Sequence, residues 1–338
     1  MKRVDNPPNP FEAYHCYFEG IDPPASLQIF EDATREILSR NDSPDLGFRW
    51  SLNPYRGCFH GCIYCYARPT HEYLGFGSGS DFESKLVVKP RAPELLREAF
   101  SRKSWKGEQV VFSGDTDCYQ PLEAVYHLTR KCLEVCLEFG NPVGIITKSF
   151  LIVRDAELLR RLHERTHLGV CVSIPFYDEK TARMVEPNAA SIAKRFEAVR
   201  ILSEAGLEVA VNVAPVIPGL NDADIPAILE KAKTCGARSA WPILLRLPGP
   251  VRSVFMTRLR KAFPLAYQKI LGRIRQTRGG RLYHAAFGSR FTGTGEYWEQ
   301  IEKIFRLSCE RLGLNRGREE AIERPCFKRP SPQGEFVL

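Results

Sequence analysis

The sequence contains no apolar run long enough to cross a membrane. A transmembrane helix needs about 20 mostly apolar residues, and no stretch of the 338-residue chain approaches that length. Residues 1–14 also lack the apolar centre of a secretory signal peptide, because prolines and asparagines follow their two basic residues. These absences exclude a membrane-spanning chain and a membrane partner, and they predict a cytoplasmic protein.

Acidic residues are missing from one long segment, residues 231–295, which we call the basic span. It holds 14 lysines and arginines and no aspartate or glutamate, although the whole chain has a net charge of only +8. The rest of the chain is therefore net acidic. Because solvated surfaces normally mix both signs, the basic span favours a polyanionic partner such as nucleic acid. A solvated helix face is the alternative interpretation.

The sequence also lacks internal repeats and low-complexity segments, and its 43% of hydrophobic and 26% of charged residues are typical of a globular protein. From about residue 49, short β-rich runs alternate with helical stretches, as in βα units with a parallel sheet. Strands are predicted before Asn53 and at 109–112, 143–147, 169–174, 209–217 and 239–245, and helices at 122–139, 156–165, 191–205 and 224–234. Six such units form either a partial barrel or a doubly wound sheet, and both bind ligands at the carboxyl ends of the strands.

The segments on either side of these units are predicted to be extensions. Residues 1–45 are expected to form an N-terminal extension with one helix near 27–38. Residues 46–280 would form the main domain and would end in basic helices between 251 and 278. Residues 281–338 would form a C-terminal helical extension and tail.

Three cysteines share the loop after the first predicted strand, and no fourth cysteine lies near them. Cys58, Cys62 and Cys65 have the spacing Cys-x3-Cys-x2-Cys. Three close thiolates can hold a soft metal, and three ligands rather than four leave one iron of a [4Fe–4S] cluster open for a substrate or cofactor. A zinc site with His60 as the fourth ligand is an alternative. A simple electron carrier would need a fourth cysteine nearby.

Further motifs accompany the cysteine loop along the chain. They are NPYRGC at 53–58, HGCIYCYARPTHEY at 60–73, DTDCYQPLE at 115–123, ITKS at 146–149, RD at 154–155, EP at 186–187 and APVIPGLND at 214–222. Together they resemble the radical S-adenosylmethionine (SAM) superfamily and, within it, the spore photoproduct lyase-like or DNA repair photolyase-like branch, over about residues 4–313. The resemblance implies a partial (β/α)6 TIM barrel with N- and C-terminal extensions. It also implies that Cys58, Cys62 and Cys65 hold a [4Fe–4S] cluster that binds SAM.

The resemblance further implies SAM contacts for residues at the carboxyl ends of the predicted strands. These are Tyr64 and Asn212 at the adenine, Asp115, Thr116 and Asp117 at the amino group, Lys148 at the carboxylate, and Ser173 at the carboxylate or ribose. An ammonium group needs a carboxylate or hydroxyl beside it. From the residues alone, Asp117 could instead cap a helix, and Lys148 could be a surface lysine.

Photoproduct lyases also use a tyrosine pair and a cysteine hydrogen donor, and this sequence matches them in part. Tyr64 and Tyr66 match the pair, which makes them candidate catalytic residues. Gly114 occupies the position of the donor cysteine, and Cys118 lies nearby but is displaced. Cys118 is therefore the candidate donor, and the displacement argues against photoproduct repair itself.

The sequence thus predicts a radical SAM enzyme. By the resemblance, it would cleave SAM reductively to a 5′-deoxyadenosyl radical that abstracts hydrogen from a substrate, which is nucleic acid in the first hypothesis. An electron donor such as flavodoxin or ferredoxin would be a partner. A second hypothesis places this chemistry on a peptide or small metabolite. A third, of another class, is a non-catalytic, metal-stabilised nucleic-acid-binding protein.

Overall fold

A sheet of mostly parallel strands forms the centre of the fold. The computed structural model describes residues 26–316 and 327–330. The strands in this part of the chain are β1 (Gln28–Glu31), β2 (Leu38–Arg40), β3 (Trp50–Leu52), β4 (Tyr55–Arg56), β5 (Lys85–Val88), β6 (Val110–Phe112), β7 (Val143–Thr147), β8 (Leu168–Ser173), β9 (Val209–Val216) and β10 (Ser239–Leu244). The main sheet has the order β10-β9-β8-β7-β6-β3-β2, and all its pairs are parallel except β2 with β3.

Amphipathic helices connect the parallel strands. In the helix at 156–165, Leu158, Leu159 and Leu162 are buried on one side while charged residues occupy the other, which is the pattern of a helix packed on a sheet. The helices in the described residues are α1 (Asp81–Ser84), α2 (Ala92–Ser101), α3 (Glu123–Tyr126), α4 (Leu128–Phe139), α5 (Ala156–Arg165), α6 (Glu179–Val185), α7 (Ile192–Glu204), α8 (Ile225–Thr234), α9 (Val251–Ala262), α10 (Tyr267–Gln276) and α11 (Glu296–Leu312).

The order of the strands decides between the two predicted architectures. From β3 through β6 to β10, the parallel strands follow one another across the sheet in chain order. A doubly wound sheet would reverse this order at a switch point, whereas a barrel continues in one direction. The predicted partial (β/α)6 barrel is therefore confirmed.

The strand register brings the predicted site residues to one edge of the sheet. Ser173 at the end of β8 is paired with Asn212 of β9, and Thr147 at the end of β7 is paired with Val172. Because parallel strands end on the same side, the loops that follow them meet at one mouth of the barrel.

The helix predicted near residues 27–38 is wrong. Residues 28–31 form β1, which runs parallel to β5, and residues 38–40 form β2, which is the antiparallel edge of the main sheet beside β3. The partner of β1 is distant in the sequence, the partner of β2 lies beyond the predicted helix, and tertiary pairing of this kind overrides a local helical pattern. Strands β1, β5 and β4 form a separate small sheet.

The C-terminal part of the described chain packs back onto the barrel. Helix α11 packs against α8 and α10, and its Trp298 is buried. The domain limits at residues 45 and 281 stay predictions. Among the helices of the described residues, none is long and apolar enough to cross a membrane.

Candidate active site

Two glycines allow the cysteine loop to turn against its surroundings. Gly57 and Gly61 have φ angles of +69° and +67°, a left-handed conformation that glycine adopts without strain. There is also no room for a side chain at either position. A Cβ on Gly57 would lie 2.9 Å from the Phe82 carbonyl oxygen, and one on Gly61 would lie 2.9 Å from Glu83 Oε2. The sequence of this loop therefore fixes its path closely.

None of the three cysteines of this loop forms a disulfide bond within the described residues. Cys58 and Cys62 are buried, and Cys65 is partly exposed. Burial raises the pKa of all three thiols, to about 12 for Cys62, and charge on Cys62 or Cys65 would raise the pKa of Cys58 further. Three thiolates therefore need a bound cation to offset their charge, as coordination by a metal does.

Two arginines hold the backbone of the cysteine loop. The fully buried Arg68 donates hydrogen bonds to the carbonyl oxygens of Cys62, at 2.9 and 3.1 Å, and of Gly61, at 3.1 Å. Arg258 of α9 donates to the Gly61 carbonyl at 3.1 Å. Glu83 pairs with both guanidinium groups, at 2.9 Å to Arg68 and 2.6 Å to Arg258. Arg258, a residue of the basic span, thus supports the cysteine loop.

Two amide side chains connect this loop to the loop after β6. Asn53 Oδ1 accepts hydrogen bonds from the backbone N–H groups of Asp115, at 2.9 Å, and Thr116, at 3.4 Å. Gln120 Nε2 donates to the Gly57 carbonyl at 3.0 Å. These bonds fix the two loops relative to each other before any ligand binds.

Asp117 connects the loops after β6 and β7. Its carboxylate accepts hydrogen bonds from Thr147 Oγ1 and the Lys148 N–H, both at 2.7 Å, and from the Tyr119 N–H at 2.9 Å. His60 Nδ1 lies 3.5 Å from the same carboxylate. Because these neighbours already occupy both oxygens, the geometry favours a positioning role for Asp117.

Within the described residues, Asp115 and Lys148 are charged side chains without a direct polar contact, although Arg56 and Lys89 favour the charged form of Asp115 from farther away. Among the described residues, neither the Asp115 carboxylate nor the Lys148 ammonium has a hydrogen-bond or ion-pair partner. The Lys148 ammonium lies 5.7 Å from the centroid of the Tyr64 ring. Burial raises the pKa of Asp115. Burial opposes the charge on Lys148, but the nearby Glu186 carboxylate and Cys62 hold the pKa of its ammonium above the usual value.

Three further predicted residues line or adjoin the mouth. Ser173 and Asn212 are neighbours across β8 and β9, and both are buried. The Asn212 Oδ1 atom is buried without a hydrogen-bond partner in the described part of the chain. Such an atom costs free energy unless a ligand or water satisfies it. Thr116 differs from these two, because its hydroxyl donates to the Tyr55 carbonyl at 3.1 Å.

The candidate catalytic residues fall into two places. Tyr64 is buried and its hydroxyl donates to Glu186, while Tyr66 is 47% exposed and its hydroxyl donates to the Gly114 carbonyl at 2.6 Å. Cys118 is fully buried in the hydrophobic core. Both tyrosines thus lie in the cysteine loop, whereas Cys118 lies in the loop after β6 with its side chain in the core.

Two groups at the mouth were missed by sequence reasoning. Glu186 and Arg195 form an ion pair of 2.5 Å in which both side chains are buried, and Arg195 also donates to the Ser173 carbonyl at 3.2 Å. Arg246, just after β10, lies over the rings of Tyr66 and Phe291. Two features of the sequence could have indicated these groups. They are the EP motif at 186–187 and the position of Arg246 just after a predicted strand.

No three His, Cys, Asp or Glu side chains within residues 26–316 and 327–330 converge closely enough to hold a single metal ion. An iron–sulfur cluster is held by cysteine thiolates on its separate irons, so its ligands need not converge on one point. The three thiols on one glycine-bounded loop fit such a group. The unpaired charges of Asp115 and Lys148 and the unsatisfied Asn212 oxygen fit a polar ligand beside it.

Comparison with protein families and relatives agrees with this arrangement. A family model described as the Radical SAM superfamily matches residues 52–232, more than half of the chain. An uncharacterised protein of Mycobacterium tuberculosis is 37% identical over 221 residues, and the match spans 65% of this chain and 65% of that protein's length. A radical SAM Nalpha-GlyT isomerase of Pseudomonas phage M6 is 27% identical over 186 residues, 54% of this chain and 36% of the isomerase.

Comparison with solved structures supports the fold. A spore photoproduct lyase variant superposes with a TM-score of 0.60 at 16% identity, covering 85% of this chain and 79% of that chain. Another variant, solved with bound AdoMet and dinucleoside spore photoproduct, has a TM-score of 0.59 with the same identity and coverage. At this level of identity the likeness shows a common fold.

Proposed function

Because this chain belongs to the radical SAM superfamily, we propose that its three loop cysteines bind a [4Fe–4S] cluster and that it cleaves SAM beside that cluster. One observation carries the proposal. The cysteine loop meets an unpaired carboxylate, Asp115, and an unpaired ammonium, Lys148, at the same mouth of the barrel. The methionine end of SAM carries the two complementary charges, an ammonium and a carboxylate.

We assign the SAM contacts by charge and hydrogen-bonding capacity. Asp115 would hold the SAM ammonium and Lys148 its carboxylate, since charge-assisted hydrogen bonds are the strongest available. Ser173 and Asn212 would bond the ribose or adenine, which would satisfy the orphaned Asn212 oxygen. Asp117, whose oxygens are already occupied, would position Lys148 through its backbone.

When bound, the cluster and SAM would supply a one-electron cleavage that yields a 5′-deoxyadenosyl radical for hydrogen abstraction. An electron donor such as flavodoxin or ferredoxin is part of the proposal. The hydroxyl of Tyr64 donates a hydrogen bond to the Glu186 carboxylate, which would fix the orientation of the ring. The hydroxyl of Tyr66 is held at Gly114, the position where photoproduct lyases carry their donor cysteine. The donor role of Cys118 stays a prediction.

We further propose nucleic acid as the substrate class. Two observations support it. The fold is shared with a spore photoproduct lyase solved with a dinucleoside photoproduct, and residues 231–295 contain no acidic side chain. Modification of a peptide or small metabolite is the competing outcome of the tests below.

Anaerobic reconstitution with iron and sulfide tests the proposed function. We expect the full chain to bind about four irons, the content of one [4Fe–4S] cluster, and to give an electron paramagnetic resonance signal that changes when SAM is added. With a chemical reductant, it should form 5′-deoxyadenosine and methionine, detected by mass spectrometry. A stable zinc-loaded protein without SAM cleavage would contradict the proposal and favour the non-catalytic hypothesis.

Lys148→Met should weaken SAM binding by about 10- to 100-fold, because a hydrogen bond to a charged group contributes about 1.5–3 kcal/mol. Equilibrium dialysis of radiolabelled SAM against the reconstituted protein measures this change, and the iron content should stay at the wild-type level. Lys131→Met, on the exposed face of α4, is the matched control. Equal SAM affinity in the two variants would contradict the assignment of Lys148.

A further inference from the structure

Five side chains form an alternating stack that runs outward from the cysteine loop, and we call it the aromatic ladder. The Arg246 guanidinium lies 5.6 Å from the centroid of the Tyr66 ring and 4.6 Å from that of Phe291. Arg290 lies 5.0 Å from the Phe291 centroid and 4.7 Å from that of Phe287. The order is therefore Tyr66, Arg246, Phe291, Arg290 and Phe287, with aromatic rings at both ends.

The two terminal rings of the ladder remain open to solvent. Phe287 is 61% exposed and Tyr66 is 47% exposed. Each has a guanidinium on one side, which leaves apolar ring surface available to a partner. Two exposed aromatic rings fixed at the ends of one stack are the kind of surface on which bases stack, because every base has an aromatic face.

The two cations of the ladder differ in their partners. Arg290 pairs with Asp45 at 2.5 Å. Arg246 has no ion pair and no hydrogen bond within the described residues, and its Nε atom is buried without a partner. A half-buried guanidinium between two rings, without a carboxylate, is an incomplete arrangement that an anionic group such as a phosphate would complete.

The loop that carries Arg290 and Phe291 is held in place by a buried arginine. Arg278 is buried, and its guanidinium donates to the carbonyl oxygens of Ser289, at 3.1 Å, Arg290, at 3.0 Å, and Thr292, at 2.7 Å. It also donates to the Leu245 carbonyl at 2.9 Å, at the end of β10. The ladder is thus preorganised, which lowers the entropic cost of binding.

Four arginines of the basic span make contacts of two different kinds. Arg258 and Arg278 serve internal contacts with the cysteine loop and with backbone carbonyls. Arg246 and Arg290 belong to the ladder. At least these two internal arginines do not add to the surface that a polyanion could contact, whereas Arg246 carries its charge at the barrel mouth.

We propose that the aromatic ladder binds an unpaired nucleic-acid strand and leads it to the barrel mouth. Bases would stack on the open faces of Phe287 and Tyr66, and a backbone phosphate would pair with Arg246. A paired duplex buries its base faces, so only a single-stranded or flipped-out segment can use these rings. Exposed rings at both ends of a stack that contains an unpaired guanidinium suit the alternating bases and phosphates of a strand, so the ladder favours nucleic acid over a peptide. This inference rests on the proposed function, since it names the form of the proposed nucleic-acid substrate and the surface that would bind it at the same mouth.

Fluorescence anisotropy with the cluster-loaded full chain tests this inference. The probes are a labelled single-stranded DNA, an RNA of the same sequence and the corresponding DNA duplex. We expect both single strands to bind more tightly than the duplex. Phe287→Ala should weaken single-strand binding by about tenfold, because one base would lose the ring on which it stacks. Arg246→Gln should reduce the slope of log affinity against log salt by about 1.

Two exposed residues of the basic span give matched controls outside the ladder. Leu265→Ala removes exposed apolar surface and Arg252→Gln removes an exposed charge, and both should bind the single strand nearly as the wild type does. The inference would be overturned if the ladder and control variants weakened single-strand binding equally, or if the duplex bound as tightly as the single strand. It would also be overturned if polyglutamate displaced the labelled strand as well as unlabelled single-stranded DNA does. Wild-type SAM cleavage is measured on the same preparation. Its presence without single-strand binding refutes the ladder alone, and its absence refutes the proposed function.

Discussion

Cys62→Ala is expected to lose the cluster and, with it, SAM cleavage. Cys58 and Cys65 would remain, and residues 53–73 contain no other cysteine that could replace the missing ligand. Replacing a residue that only supports a metal ligand typically lowers metal affinity or activity by about 10- to 100-fold. The loss of a ligand should therefore lower 5′-deoxyadenosine formation by more than about 100-fold. Iron content, visible absorption and product yield after reconstitution measure the effect together.

Cys136→Ala is the matched control for this variant. Cys136 is fully buried on α4 and belongs to the hydrophobic core, so its replacement should cost some stability and leave iron content and SAM cleavage unchanged. Wild-type iron content in Cys62→Ala would contradict the proposed ligand set. A parallel loss of cluster in both variants would show a general effect on folding instead.

The barrel was predictable because its elements are defined by local patterns. Apolar runs buried on both faces indicate parallel strands, and a helix with one apolar face indicates packing on a sheet. The strand at 143–147 and the helix at 156–165 have the predicted bounds. The predicted helix at 122–139 is divided at His127, whose φ of +54° separates α3 from α4. The pattern of apolar residues cannot predict a single residue with a left-handed backbone such as His127.

The N-terminal strands could not be predicted from local patterns. Residues 28–31 are largely exposed and form a strand because β5 offers a partner about 57 residues later in the chain. Residues 38–40 likewise form β2 only through pairing with β3. The helical interpretation failed because a pairing between distant segments decided the structure.

The site was predictable as far as its motifs are contiguous. The cysteines and Lys148 stand in short motifs, and the structure places them at one mouth. Asp115 and Asp117 are close in sequence but differ in their hydrogen bonding. The Asp117 carboxylate accepts hydrogen bonds from Thr147 and Lys148 after β7, and the Asp115 carboxylate accepts none of these. Arg246 received no role, since its aromatic partners lie about 180 residues before it and 45 after it.

Glu186→Gln is expected to destabilise the protein by about 3–5 kcal/mol, because it leaves the buried Arg195 guanidinium without its counter-charge. Arg195 and Glu186 side chains are 1% and 0% exposed, so water cannot replace the lost partner. The variant also alters the group that holds the Tyr64 hydroxyl. Urea unfolding followed by circular dichroism gives the change in free energy.

A surface pair and a double variant test whether burial is the cause. Glu204→Gln removes one partner of an exposed pair on α7, with Arg200 49% and Glu204 61% exposed, and should cost less than about 1 kcal/mol. Adding Arg195→Gln to Glu186→Gln removes both buried charges and should recover part of the lost stability, since an uncompensated charge costs more than the absence of the pair. Two outcomes would show that the pair is not coupled through burial. In one, Glu186→Gln and Glu204→Gln lower the free energy of unfolding equally. In the other, the double variant loses as much of this free energy as Glu186→Gln and Arg195→Gln lose together. In that case any effect of Glu186→Gln on SAM-dependent turnover would come from its altered contact with the Tyr64 hydroxyl and not from a broken ion pair.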